Sequence, residues 1–135
     1  MNPPWEAQFG PNSEGWTITF RSAPQQNENF DFVIDLKGPE CFFSAGTFDA
    51  RPNLDSFSSE LAKVFRTLSG RANLDTDYFT LTVTAEKTGS LRFAGNLVCH
   101  QFSQFPTGHV RVNFEQSFDP ITIESAVKNL AHLQR

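Results

Sequence analysis

The chain has 135 residues, and its 11 Lys and Arg against 15 Asp and Glu give a formal net charge of -4. This length is typical of one domain that buries about 68% of its unfolded surface, so neither disulfides nor structural metals are needed for stability. An acidic chain without a run of Lys or Arg lacks the electrostatic character of nucleic-acid-binding proteins. No apolar run approaches the ~20 residues that cross a bilayer, and residues 1–6 lack the character of a secretion signal. We therefore expect a cytoplasmic protein with no nucleic-acid or membrane partner.

The first half of the chain changes from strand-like to helix-like periodicity. Residues 1–15 are rich in Pro and Gly and are expected to form an irregular N-terminal arm. Alternation of apolar and polar residues predicts strands over 16–20, 30–36 and 41–49, and the third, which is apolar on both faces, is expected to be central. Apolar residues spaced by three and four from Leu54 to Leu68 predict a helix, with Asn53 as its N-cap and Gly70 at its C-terminal end.

The second half repeats this order of elements. Residues 71–77 are expected to form a polar return, and alternation then predicts strands over 78–85, 91–100 and 109–115. A final helix is expected from Thr122 onward. The order β-β-β-α-β-β-β-α predicts the α+β class, with one six-stranded antiparallel sheet, two helices on one face, and residues 16–135 as a single domain.

The residue types that carry chemistry form no complete catalytic or metal-binding pattern. Cys41 and Cys99 lie within strand patterns, which favours buried, reduced thiols. His100 and His109 become cross-strand neighbours if the loop between their strands is centred near residues 104 and 105, with Arg111 and Glu115 on the same outer face. A further metal ligand at a defined spacing is missing. The common nucleophile, phosphate-loop and zinc motifs are also missing from the sequence. We expect no catalytic residue, no metal and no cofactor.

Aromatic and charged residues in loops are the candidates for binding a partner. Phe102 and Phe105 lie in a loop between strands, where they either cap the core or anchor a protein partner. Asp75 and Asp77 are placed to contact a basic partner. The candidate partner-binding residues are Phe102, Phe105, Asp75, Asp77, His109, Arg111 and Glu115.

Four short stretches resemble the WapI-type immunity proteins, a family of small bacterial proteins from toxin–immunity systems. These stretches are Leu54 to Leu61 with the pattern L-x-x-F-x-x-E-L, the Thr-rich residues 81–84, the strand entry G-H-V-x-V at 108–112, and the helix at 123–130. The resemblance implies a cytoplasmic, non-catalytic protein that binds and blocks a cognate toxin domain. It implies no particular functional residue.

Two other functions remain open at the level of the sequence. The chain is alternatively a small enzyme or ligand-binding protein with a pocket between sheet and helices, and His100, His109 and Glu115 would then lie near its mouth. It is alternatively a structural subunit that oligomerises through an exposed edge strand. The sequence leaves open whether the protein is a monomer or a homodimer.

Overall fold

The described chain has four strands and a helix, followed by a second set of four strands and a helix. The computed structural model describes residues 4–23, 30–48, 50–99 and 110–133. The elements are β1 (Glu6–Phe9), β2 (Thr17–Ser22), β3 (Phe32–Lys37), β4 (Phe42–Thr47), α1 (Arg51–Thr67), β5 (Arg71–Asp75), β6 (Phe79–Ala85), β7 (Leu91–Cys99), β8 (Val110–Phe118) and α2 (Pro120–His132).

The strands form two separate four-stranded antiparallel sheets, β1-β2-β3-β4 and β5-β6-β7-β8. The α+β class is therefore confirmed, but the expected single six-stranded sheet with two helices on one face is wrong. Alternation of apolar and polar residues shows which side chains share a face of a strand. It does not show which other strand is the hydrogen-bonded neighbour. Here each sheet is contiguous in sequence, and α1 separates the two.

The two additional strands, β1 and β5, lie in segments that were expected to be irregular. β1 occupies part of the arm at residues 1–15, and β5 occupies most of the return at 71–77. Both are short and use alanine as one of their inward residues: Ala7 precedes Phe9, and Ala72 precedes Leu74. With so little apolar side chain, the alternation in these segments is too weak to indicate a strand.

Each helix lies against the first strand of the other sheet, so α1 contacts β5 and α2 contacts β1. Glu60 on α1 accepts a hydrogen bond from the backbone N–H of Asn73 at 3.1 Å. Asn129 on α2 donates to the backbone carbonyl of Glu6 at 3.1 Å. Backbone groups at a sheet edge need such partners when they are shielded from water. The two helices therefore cover the outer edges of β1 and β5.

A single core joins both sheets and both helices. The ring of Phe20 in β2 lies 6.0 Å from that of Phe57 in α1 and 6.0 Å from that of Phe79 in β6. The ring of Phe9 in β1 lies 5.3 Å from that of Phe93 in β7. Seven phenylalanines are among the largest fully buried side chains: Phe9, Phe20, Phe32, Phe57, Phe79, Phe93 and Phe118. Because rings from one sheet contact rings from the other, the two sheets form one cooperative unit.

The ends of α1 differ from the sequence prediction. The helix begins at Arg51, so Asn53 lies within its first turn and does not cap it. At the other end, Leu68 takes the left-handed conformation with φ 52°, and its N–H donates to the carbonyl of Val64 at 2.7 Å. The predicted terminating residue, Gly70, lies two positions further on.

The strand expected to be central, β4, is an edge strand of the first sheet. Its outward Phe42 is 55% exposed, whereas Ala45 and Thr47 are buried. This segment has apolar residues on both faces because one face is buried and the other carries partly exposed aromatic side chains. It does not have them because the strand is central.

Candidate interaction surface

A groove of about 360 Å³ lies beside the turn that joins β5 to β6. We call it the acidic groove, and the residues that line it are Phe48, Ala50, Asn53, Asp75, Thr76 and Asp77. They come from the end of the first sheet, the start of α1 and the start of the second sheet. The groove therefore forms only when both halves of the chain are folded together.

Thr76 fixes the shape of the turn that carries the two acidic residues. Its backbone N–H and its hydroxyl both donate to the carbonyl of Phe79, at 2.9 and 2.8 Å. The N–H of Phe79 in turn donates to the Thr76 hydroxyl at 3.0 Å. Such side-chain bonds to nearby backbone are typical of Thr in tight turns. Asp75 and Asp77 are thus held on either side of a closed turn, with both side chains exposed.

Hydrogen bonds at the start of α1 also fix the shape of the groove. The side-chain amide of Asn53 donates to the backbone carbonyl of Asp75 at 2.7 Å. The carboxylate of Asp31 accepts hydrogen bonds from the N–H groups of Ala50 and Arg51, at 2.6 and 3.1 Å. These bonds fix the start of the helix relative to both sheets. The groove is therefore largely formed before any partner binds.

Three aromatic rings, Phe30, Phe48 and Tyr78, form a row, which we call the aromatic row, and its central ring, Phe48, lines the groove. The ring of Phe48 lies 4.8 Å from that of Phe30 and 5.8 Å from that of Tyr78, the second in an edge-to-face arrangement. Phe30 lies directly over Gly46, where a Cβ would come within 2.5 Å of the ring. Glycine is therefore required for this close approach. Phe48 is 36% exposed and lines the groove, so its ring presents aromatic surface there.

The groove carries uncompensated negative charge. Within residues 4–23, 30–48, 50–99 and 110–133, the ion pairs are Arg21–Asp35, Arg51–Asp55, Arg92–Glu115 and Lys128–Glu124, and none includes Asp75 or Asp77. Two exposed carboxylates beside an aromatic ring form a surface that attracts cations.

The other predicted site residues do not join this groove. Arg111 and Glu115 lie on β8, at the opposite edge of the second sheet from β5, so they are separated from Asp75 by about three strand spacings, or ~14 Å. Both side chains are exposed, and Glu115 pairs with Arg92 at 3.3 Å. The candidates His109, Phe102 and Phe105, together with His100, lie outside the described residues.

In the part of the chain that the structure describes, no group of three His, Cys, Asp or Glu side chains is arranged to hold a metal ion. Both thiols are free; Cys41 is partly exposed and Cys99 is buried. Burial raises the pKa of Cys99 above its ordinary value of 9.0, and a backbone hydrogen bond from Ser44 opposes this more weakly. Such a thiol is less nucleophilic at neutral pH than an exposed cysteine.

The sequence predicts the acidic residues of the groove but not its other components. Alternation places Phe48 within a strand, and the helical pattern places Asn53 at the N-cap. A signal for Asn53 existed, since Pro52 is favoured in the first turn of a helix and moves the cap position upstream. No comparable local signal indicates Phe48, because alternation does not show that the strand ends at Thr47 and that Phe48 lies beyond it.

Comparison with family models, with curated proteins and with solved structures gives no match for this chain. Neither helix in the described ranges is long and apolar enough to cross a membrane. The resemblance to immunity proteins therefore stays a prediction from four short stretches of sequence. The geometry of the groove is the structural observation that bears on function.

Proposed function

We propose that this protein is a non-catalytic binding protein that takes a basic protein surface into the acidic groove. In this proposal it acts as a cytoplasmic immunity protein and blocks a cognate toxin domain. The observation that carries the proposal is the exposed pair of Asp75 and Asp77 beside the ring of Phe48, two carboxylates that take part in no ion pair among the described residues.

The groove suits an Arg or Lys side chain of the partner. A guanidinium group forms two parallel hydrogen bonds with a carboxylate and also stacks on an aromatic face. Asp75 and Asp77 supply the acceptors, and Phe48 supplies the ring. The fixed turn and the bonds from Asn53 hold these groups in place, which lowers the entropic cost of binding.

The overall charge of the chain favours the same kind of partner. A net charge of -4 accelerates the approach of a basic protein, and salt weakens this effect. Association with the partner should therefore slow as ionic strength rises, while dissociation changes less.

The test is to express the protein together with the toxin-like domain encoded by an adjacent gene and to measure cell survival and co-purification. The double variant Asp75→Asn/Asp77→Asn should lose protection and weaken the complex at least tenfold. A matched control is Glu14→Gln/Glu40→Gln, which removes the same charge from exposed residues near the turn at the far end of β4. This control should protect as well as the wild type does.

Two results would contradict the proposal at different levels. If the wild-type protein forms no complex and gives no protection, the immunity function is wrong. If the complex forms and both double variants protect equally, the protein binds its partner through another surface and the acidic groove is not the site.

A further inference from the structure

Of the four sheet edges, the outer edge of β8 is the one that the rest of the described chain leaves mostly uncovered. Helices cover β1 and β5, and the backbone of Ser44 in β4 meets the thiol of Cys99 at the end of β7. β8 is nine residues long, and the side chain of Asn12 reaches its backbone only at Ser117. Long uncovered edges are the usual sites at which one chain pairs with another.

The free backbone groups of this edge can be assigned to particular residues. The side-chain amide of Asn12 donates to the carbonyl of Ser117 at 3.0 Å, so Ser117 directs its backbone groups away from β7. In an antiparallel ladder, residues alternate between those that bond to one neighbouring strand and those that face the other side. Glu115, Asn113 and Arg111 therefore also direct their N–H and C=O groups outward.

An independent hydrogen bond in β7 supports this assignment. The N–H of Val98 donates to the carbonyl of Tyr78, on the side of β6, at 2.9 Å. Val98 is the residue opposite Arg111 in the β7–β8 ladder. Because Val98 bonds toward β6, Arg111 does not bond to it and faces the open edge.

We propose that a second copy of this chain pairs with this edge, antiparallel and about a two-fold axis at Asn113. In that register, Arg111 of each copy lies directly opposite Glu115 of the other, so the outer face forms two pairs of opposite charge. On the other face, Val112 lies opposite Phe114 of the second copy. Both of these side chains are only partly buried in the single chain, so pairing removes further apolar surface from water.

The sequence of the edge is what favours a second copy over an unrelated strand. Arg111 and Glu115 lie at equal distances from Asn113 and carry opposite charges, so the edge is complementary to itself only in the antiparallel direction. Arg111 forms no ion pair within the described residues, and Glu115 has an exposed one. The pairing therefore gives Arg111 an ionic partner and gives Glu115 a second one.

The contact is short, so the dimer should be weak. Pairing over residues 111–115 forms on the order of six backbone hydrogen bonds, and Asn12 blocks its extension past Ser117. An interface of this size is at the low end of those seen for specific association, which corresponds to a dissociation constant on the order of 10 to 100 µM. The β8 edge and the acidic groove share no residue, so the variants that test dimerisation leave the residues of the groove unchanged.

The test is a charge exchange measured by sedimentation equilibrium of the full chain up to about 1 mM. Arg111→Glu alone and Glu115→Arg alone each place like charges opposite one another and should raise the dissociation constant at least tenfold. An equimolar mixture of these two variants restores opposite charges at both positions and should form a heterodimer of wild-type affinity. Lys87→Glu, the same charge change at an exposed turn residue, should dimerise as the wild type does.

A backbone variant tests the pairing itself. Asn113→Pro removes an outward N–H without removing a bond to β7, so it should abolish dimerisation while the circular dichroism spectrum stays that of the wild type. A wild-type protein that is monomeric at about 1 mM overturns the proposal. Single charge variants that dimerise normally overturn it as well, and so does a mixture that fails to associate.

Discussion

The carboxylate of Asp31 caps a helix that begins twenty residues later, because its Oδ2 accepts the N–H of the N-cap residue, Ala50, at 2.6 Å. The same oxygen accepts the N–H of Arg51 at 3.1 Å. An acidic group at this position satisfies otherwise unpaired N–H groups and also interacts favourably with the positive end of the helix dipole. We expect Asp31→Ala to lower the free energy of unfolding by about 1–2 kcal/mol in urea denaturation.

The N-terminus of α2 supplies the control for this prediction. Asp119 occupies the cap position there, but its side chain makes no capping hydrogen bond. Asp119→Ala should therefore change the free energy of unfolding by less than about 0.5 kcal/mol. If the two alanine variants are equally destabilised, the bonds from Asp31 do not stabilise α1.

A second prediction concerns Asp35, which joins three strands on the outer face of the first sheet. Its carboxylate binds the guanidinium group of Arg21 at 2.6 and 3.3 Å and accepts the hydroxyl of Ser44 at 2.7 Å. The side chain of Asp35 is only 13% exposed, so removing it leaves a buried hydroxyl without its partner. Asp35→Ala should lower the free energy of unfolding by about 2 kcal/mol.

An exposed ion pair on α2 is the comparison for Asp35. The Nζ atom of Lys128 lies 3.3 Å from Oε1 of Glu124, and both side chains are more than half exposed. Pairs of this kind contribute little, so Glu124→Ala should cost less than about 0.5 kcal/mol. Equal losses from Glu124→Ala and Asp35→Ala would show that the network on the first sheet adds nothing beyond an ordinary surface pair.

A third prediction is that one substitution in the core stabilises the protein. The hydroxyl of Ser58 on α1 is buried and has no hydrogen-bond partner among the described residues. An unpaired buried hydroxyl costs about 1–3 kcal/mol, so Ser58→Ala should raise the free energy of unfolding by about 1 kcal/mol or more. Ser56→Ala, at an exposed position of the same helix, measures the gain from helix propensity alone, which is about 0.5 kcal/mol or less. Equal gains at the two positions would rule out relief of an unpaired group.

A fourth prediction concerns the pH dependence that Cys99 introduces. Because burial raises the pKa of this thiol above 9.0, the folded chain holds its proton at a pH where the unfolded chain has lost it. The resulting stabilisation is fully present below pH 9.0 and is lost as pH rises through the pKa of the folded state. In a Cys41→Ser background, the free energy of unfolding should therefore fall more steeply above about pH 9 with Cys99 than with Cys99→Ala. Parallel curves for the two proteins would contradict this.

The sequence predicted the elements with strong periodicity and could not predict how they pair. Alternation located β2, β3, β4, β6, β7 and β8, and the three-four spacing located both helices. It missed β1 and β5, in which Ala7 and Ala72 replace the large apolar residues that produce a detectable pattern. The helix that covers β1 is α2, whose Asn129 lies 123 positions from Glu6, so no window of the local sequence contains the cause of that strand. The helix that covers β5 is α1, the element directly before it in the chain, and there the missing signal is the small side chain of Ala72.

At the candidate site, too, some residues were predictable from the sequence and others were not. Asp75 and Asp77 were selected because charged residues in a loop are accessible, and the structure places both at one groove. The ring beside them, Phe48, comes from a segment that a reading of periodicity assigns to the interior. Phe48 lies just beyond the end of β4 and contacts Tyr78 at the start of β6, and the periodicity of its own segment contains no information on that contact.

The exchange of helices between the two sheets also constrains the order of events when the chain folds. The bond between Asn129 and Glu6 joins residues 123 positions apart, so β1 leaves the ribosome long before the helix that covers its edge. Contacts of such long range form late and slow the folding of a domain. The outer edge of β1 therefore has no helix to cover it until α2 has been synthesised, and an uncovered edge is a site at which nascent chains pair with one another.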